Sequence, residues 1–199
     1  MRPAEEWILA SGSPRRRELL ASLQPHFRVM TSDVEEWEPT EADPAEQVLE
    51  NARRKGQVIA DRHPVALVIA ADTTVALGRR IFSKPVNEAD AARMLRELSG
   101  RLHSVLTGVC LFREGRSHAF VETSHVQFRV LDASVIANYL SRVHVLDKAG
   151  AYGIQESGDL IIEHHEGSFE NIMGLPVQRL RTELVQLDWV AVPSARSDA

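Results

Sequence analysis

The run Val65-Ala66-Leu67-Val68-Ile69-Ala70-Ala71 is apolar at every position and ends abruptly in Asp72-Thr73-Thr74 before Val75. A strand without polar alternation is covered on both faces. The chain must therefore place layers on each side of a sheet, which predicts an α/β fold. Asp72 is the second constraint. A charge directly after such a run needs a partner or solvent. Polar residues at the carboxyl ends of buried strands lie at the ligand crevice in many α/β proteins. A turn-capping role is the alternative.

The opening stretch Trp7-Ile8-Leu9-Ala10-Ser11-Gly12-Ser13-Pro14-Arg15-Arg16-Arg17 reads as strand, tight turn and helix entry. Such a turn aims backbone N–H groups forward, and the arginines add forked donors suited to phosphate or carboxylate. An anion site follows. Leu19, Leu20 and Leu23 give the helix one apolar side. A second strand is expected over 27–30. The acidic loop Thr31-Ser32-Asp33-Val34-Glu35-Glu36-Trp37-Glu38 reads either as a solvated turn or as a metal or base cluster.

Asp43-Pro44-Ala45-Glu46 signs the start of a helix whose apolar face carries Val48, Ala52 and Ile59. Lys55 shares that face. It either snorkels from the stripe edge or, beside a cleft, meets phosphate or carboxylate. Gly78 centres a short hairpin, and Pro85 biases Lys84 towards an extended conformation. Lys84 is then a projecting cation or an ordinary surface lysine. A helix capped by Asn87 ends at Gly100. Antiparallel strands over 104–112 and 119–130 make the sheet mixed. A helix over 133–140 should bury Val135, Ile136 and Leu140. In Asp147-Lys148-Ala149-Gly150-Ala151-Tyr152-Gly153-Ile154-Gln155 the glycines imply tight backbone passage, with Tyr152 and Gln155 available for a ring or amide. A short strand over 160–163 precedes His164 and His165, which read as surface histidines because neighbours on a strand face opposite ways. Pro176 opens a last helix with Val177, Leu180, Leu184 and Leu187 inside.

A length of 199 residues suits one substantial core. The net charge of −5 argues against a general nucleic-acid surface. Cys110, the single cysteine, excludes a disulfide framework and a thiolate metal cluster. No N-terminal run resembles a signal peptide, and the apolar runs are too short to span a bilayer. A cytoplasmic location without a membrane or nucleic-acid partner is expected. The P-loop and dinucleotide-binding glycine motifs are absent. What remains is carboxylate–Mg²⁺ chemistry on a phosphate ester or anhydride, with Arg and Lys screening the oxyanions.

Leu9-Ala10-Ser11-Gly12-Ser13-Pro14-Arg15-Arg16 resembles the signature of the Maf family of nucleoside triphosphate pyrophosphatases. So do Ala71-Asp72-Thr73-Thr74, Lys84-Pro85, Leu98-Ser99-Gly100, the 147–155 segment and Gly174-Leu175-Pro176. The blocks occur in family order over nearly the whole chain. The resemblance implies an α/β, two-lobed, inosine-triphosphate-pyrophosphatase-like fold on an elongated mixed β-sheet flanked by helices. It implies one catalytic domain over 1–193 around a central cleft, a flexible tail over 194–199, and a homodimer. It further implies a divalent metal cation (Mg²⁺ or Mn²⁺) and release of pyrophosphate from a nucleoside triphosphate. By the same resemblance the catalytic set is Asp72, Ser13, Arg16, Glu35, Lys55 and Lys84. Asp72, with Glu35, is expected to hold the metal or to activate water, and by the resemblance Arg15, Thr73 and Gln155 govern substrate choice. Tyr152-Gly153-Ile154-Gln155 resembles the dTTP/UTP branch, and a glutamine can pair with the uracil or thymine edge as acceptor and donor. Two segments depart from the family pattern. Glu156-Ser157-Gly158-Asp159 replaces the customary glycine-rich continuation, and Ser168-Phe169-Glu170-Asn171 differs from the usual small/aromatic run. A different or broader base preference, or a non-catalytic nucleotide-binding regulator of cell division, is the alternative reading.

Overall fold

The computed structural model describes residues 6–38 and 43–190; the 194–199 tail lies outside them. Seven strands form one mixed sheet: β1 (Trp7–Leu9), β2 (Arg28–Val29), β3 (Leu67–Leu77), β4 (Arg80–Phe82), β5 (Leu102–Arg113), β6 (Arg116–Phe128) and β7 (Ile162–Glu166). Their order is β2-β1-β3-β5-β6-β7, with β4 beside β3. β1 is parallel to β2 and β3, and the other pairings are antiparallel. The helices are α1 (Pro14–Leu23), α2 (Pro44–Arg62), α3 (Glu88–Leu98), α4 (Ala133–Arg142), α5 (Phe169–Met173) and α6 (Val177–Gln186). No helix among the described residues is long and apolar enough to cross a membrane.

β3 is the strand that the apolar run announced, and its alternate residues feed opposite layers. Val68 and Ala70 pack with Ala52 and Ile59 of α2. Leu67, Ile69 and Ala71 pack with Leu20 of α1 and Leu180 and Leu184 of α6. Beyond the middle of β3 a third cluster joins Val75 to Leu95 of α3, Phe128 of β6 and Tyr139 of α4. One edge of β3 is only partly covered. β1 pairs with it as far as Ile69, and β4 pairs with it from Val75 onward. Among the described residues, no strand borders positions 70–74 on that edge.

Side-chain caps start the helices where the sequence placed them. Ser13, Asp43 and Asn87 each accept a backbone N–H from the first turn. Four details differ from expectation. β3 does not end at Asp72 but runs on to Leu77, so Asp72 stands mid-strand rather than at the strand's carboxyl end or in a turn, because β5 goes on pairing with β3 as far as Ala76. α4 buries Ile136 and Tyr139, leaving Val135 and Leu140 only partly covered, because the face turned to the core runs through Tyr139. The last strand is Ile162–Glu166, not 160–163, since Gly158–Leu160 winds into a 3-10 turn first. His164 and His165 therefore lie within β7, and both are exposed, as surface histidines should be. The one-turn helix α5 had no apolar periodicity to announce it.

Two glycines let α2 lie unusually close to the sheet. A Cβ on Gly108 of β5 would stand 2.6 Å from the Val48 carbonyl carbon and oxygen and 2.7 Å from the Leu49 nitrogen. A Cβ on Gly56 of α2 would stand 2.4 Å from the Phe112 ring and 2.8 Å from the Ala70 side chain. At Gly108 the obstruction is backbone, which cannot rotate away. Gly108→Ala is therefore expected to destabilise the fold by about 1–3 kcal/mol, as overpacking does. A urea-unfolding midpoint equal to wild type would contradict this close packing.

Candidate active site

The uncovered edge of β3 opens into a cleft of about 400 Å³. The β1–α1 turn, the acidic loop, α2, β3, Lys84, the 147–155 segment and the end of α5 supply its walls. Asp72 and Thr73 lie at its centre. Being neighbours on a strand, they project to opposite faces of the sheet. The cleft thus has two chemically different sides.

On the Thr73 side stands Arg16. Its Nε donates to the Gly174 carbonyl at 2.8 Å, and its terminal nitrogens donate to Ser11 Oγ at 3.2 Å and Thr73 Oγ1 at 2.9 Å. All three acceptors are neutral. Burial lowers the Arg16 pKa, the Asp72 charge opposes that shift, and Arg15 adds to it. The first turn of α1 contains no acidic residue but Arg15, Arg16 and Arg17. Cations there oppose the helix dipole, whose positive end favours an anion. Guanidinium, helix terminus and neutral surroundings together fit a phosphate group. Ser13 lines the same turn, but its Oγ accepts from the Arg16 backbone N–H at 3.4 Å as helix cap. Ser11 is the serine that touches the Arg16 guanidinium. Arg17 is exposed and lies outside the cleft.

On the Asp72 side stands α2. Lys55 Nζ donates to Asp72 Oδ1 at 2.7 Å and to Glu36 Oε1 at 2.6 Å. Asn51 Nδ2 approaches Asp72 Oδ2 at 3.4 Å, and Lys84 Nζ lies 3.8 Å from Glu36. Burial would raise the Glu36 carboxyl. The Lys55 hydrogen bond and the charges of Lys55, Lys84 and Arg16 outweigh that and hold it below its usual range. Glu35 is exposed and does not line the cleft. The structure brings Glu36, not Glu35, to Lys55 and Asp72.

The difference has a physical cause. The acidic loop has no regular structure of its own, so its facing is imposed by α2. Asn51 Oδ1 accepts the Trp37 N–H at 2.7 Å, and the Asn51 and Gln47 amides each donate to the Trp37 carbonyl at 3.2 Å. This clamp on Trp37 turns its neighbours Glu36 and Glu38 to the cleft, where Glu36 reaches Lys55. Gln47, Asn51 and Lys55 lie four residues apart on α2, so they form one stripe. That polar stripe beside the buried Val48, Ala52 and Ile59 was the available sequence signal for Asn51 and Gln47.

The three expected specificity residues do not meet at one point. Thr73 faces Arg16 and shares a 3.0 Å hydrogen bond with Thr107. Arg15 is held by Asp147, with NH1 2.8 Å from Oδ2. Gln155 lines the cleft with its amide donating to Glu156 at 3.0 Å. Tyr152 lines the cleft too, but its hydroxyl meets His103 Nε2 at 2.9 Å and its ring packs edge-on to Phe128. Burial pushes the His103 imidazole down to about 4, so it is neutral at physiological pH. Both positions with tight backbone passage hold: Gly150 has φ +68°, and Gly153 abuts the Lys148 side chain. Ser11, Glu36, Gln47, Asn51, Thr107, Asp147 and Lys148 are site residues that reasoning from sequence did not single out.

The clamp can be tested without any substrate. Asn51→Ala removes the acceptor of the Trp37 N–H, and hydrogen exchange at that amide should accelerate about tenfold, the value of one hydrogen bond. Unchanged exchange would show that Asn51 does not hold the acidic loop.

Comparison with known proteins follows the same lines. The dTTP/UTP pyrophosphatase of Thermococcus kodakarensis is 44% identical over 172 residues, 86% of this chain and 91% of that protein. That of Deinococcus radiodurans is 46% identical over 170 residues, 85% and 87% of the two chains. That of Bacillus mycoides is 41% identical over 181 residues, 91% and 95%. Among solved structures, the Staphylococcus aureus Ham1 protein superposes with a TM-score of 0.52 over 92% of this chain and 100% of its own, at 16% identity. A HAM1 protein from Coxiella burnetii gives 0.51 over the same shares at 14% identity. These two likenesses concern the fold, and they agree with the expected mixed α/β architecture of the inosine-triphosphate-pyrophosphatase type. The family model described as Maf-like protein matches residues 6–187, and the chain belongs to that family.

Proposed function

We propose that this chain hydrolyses nucleoside triphosphates, dTTP and UTP in preference, to the monophosphate and pyrophosphate. The observation that carries the reading is the cleft itself, in which Asp72 and Glu36 converge on Lys55 while Arg16 offers its guanidinium from the other side of β3. The relatives named above support the substrate class.

In this reading water attacks the α-phosphorus, the bond to the α–β bridging oxygen breaks, and pyrophosphate leaves. Asp72 accepts the proton from the attacking water. Arg16 and the α1 N-terminus hold phosphoryl oxygens, and Lys84 and Lys55 screen the charge that develops. Ser11 and Thr73 position the guanidinium. Ser13 supports the turn as helix cap. Gln155, Arg15 and Thr73 govern the choice of substrate.

A divalent cation fits the donor set. Two carboxylates already converge on one cationic group, the Lys55 ammonium, with oxygens at 2.6 and 2.7 Å from it. Mg²⁺ is commonly held by one or two carboxylates plus substrate phosphates. No group of three or more His, Cys, Asp or Glu able to hold a metal occurs among the described residues. Asp72 and Glu36 would hold the ion, in place of the expected Asp72 and Glu35. When bound, Mg²⁺ or Mn²⁺ supplies Lewis-acid polarisation of the phosphoryl oxygens. The family likeness extends the proposal to a homodimer in the cytoplasm and to one two-lobed catalytic domain over 1–193.

A panel of nucleoside triphosphates with Mg²⁺ or Mn²⁺, scored for monophosphate and pyrophosphate, tests the reading. UTP and dTTP should be turned over fastest. Asp72→Asn should lower kcat by about 10²–10⁴, the range of a lost general base, in protein that circular dichroism shows to be folded. Glu36→Gln should be severely impaired and Glu35→Gln close to wild type. Orthophosphate as the first product, or wild-type turnover by Asp72→Asn, would contradict the proposal.

A further inference from the structure

The Gln155 amide does not stand free in the cleft. Its Nε2 donates to Glu156 Oε1 at 3.0 Å, and the same oxygen lies 3.2 Å from Lys148 Nζ. Lys148 is buried and is itself fixed, donating to the His144 carbonyl at 2.6 Å and to Asp147 Oδ1 at 3.0 Å. The other Asp147 oxygen holds Arg15 at 2.8 Å. Charges of alternating sign thus join Arg15 to Gln155 through Asp147, Lys148 and Glu156. The layer beneath is tight. A Cβ on Gly153 would lie 2.9 Å from Lys148 Cε and 3.3 Å from Glu156 Oε1. Glu156 is folded back onto the backbone of the cleft wall.

A glutamine amide can meet a pyrimidine edge in two ways, by exchanging its oxygen and its NH₂. One arrangement accepts from N3–H and donates to O4, as uracil and thymine require. The other accepts from the N4 amino group and donates to N3, as cytosine requires. A carboxylate only accepts hydrogen bonds. Glu156 therefore stabilises the arrangement that turns the NH₂ of Gln155 towards it. The flipped amide would set its oxygen against a carboxylate oxygen.

We propose that Glu156, anchored by Lys148, is a specificity-positioning residue that locks the Gln155 amide in one orientation, and that this orientation is the one that takes uracil and thymine and refuses cytosine. This inference rests on the reading of the chain as a pyrophosphatase acting on dTTP and UTP. It assigns a role to the segment where the chain departs from the family pattern.

The test is kcat/KM of wild type, Glu156→Gln and Glu156→Ala on UTP, dTTP, CTP and dCTP. The wild type should favour UTP over CTP. Glu156→Gln keeps the size of the side chain but can present either oxygen or NH₂ to Gln155. It should lower the UTP-to-CTP ratio about tenfold or more, as loss of a good bidentate base contact does, with CTP turnover rising in absolute terms. Glu156→Ala should behave likewise. A merely structural role predicts an unchanged ratio in Glu156→Gln, or equal losses on all four nucleotides, and either result overturns the inference while leaving the pyrophosphatase reading intact. So does a wild type that treats UTP and CTP alike. A wild type that releases pyrophosphate from none of the four overturns both.

Discussion

The Asp72 carboxylate is the constraint around which the site is built. It projects from the middle of β3, between the apolar run 65–71 and the two threonines that follow it, and its side chain is only 12% exposed. A charge in that position costs several kcal/mol unless it is paired and hydrogen-bonded. Asp72 faces the α2 layer, so the partner has to come from α2. Lys55 reaches it at 2.7 Å because the helix backbone lies almost against β5, where Gly108 leaves room. The same helix clamps Trp37 and thereby delivers Glu36. One charge, one close helix and one clamp account for this half of the cleft.

The other half follows from strand alternation. Thr73, next in the chain, turns to the opposite layer, where α1 and α5 meet. There the acceptors are neutral, and among the described residues no carboxylate pairs with the guanidinium of Arg16. Between the two halves, β1 stops pairing at Ile69 and β4 starts at Val75. A ligand approaching this gap meets carboxylates on one side and a guanidinium on the other. In the proposed reaction that polarity orders the components: phosphate towards Arg16 and the helix terminus, cation and attacking water towards Asp72 and Glu36.

The parts of this arrangement legible in the sequence were those carried by periodicity, caps and contiguous motifs. The apolar run located β3 and, at its end, Asp72. The strand–turn–helix entry located α1, and capping residues located α2 and α3. The arginine-rich turn located Arg16. What escaped were features decided by tertiary contacts. An irregular loop carries no period, so nothing in 31–38 distinguished Glu36 from Glu35 until Asn51 was seen to hold Trp37. Ser11 and Ser13 are equally small and polar, and their different duties emerge only when the helix cap is placed. Gly56 and Gly108 looked ordinary in sequence, because what they accommodate comes from another element. α5 is one turn long, yet its end supplies the Gly174 carbonyl that fixes Arg16.

The central claim is that the groups around Asp72 direct water to the α-phosphorus. Hydrolysis of UTP in water enriched in ¹⁸O, followed by mass spectrometry of both products, reads this directly. The account predicts the label in the monophosphate and unlabelled pyrophosphate. Label in the pyrophosphate would place the attack on the β-phosphorus and contradict it.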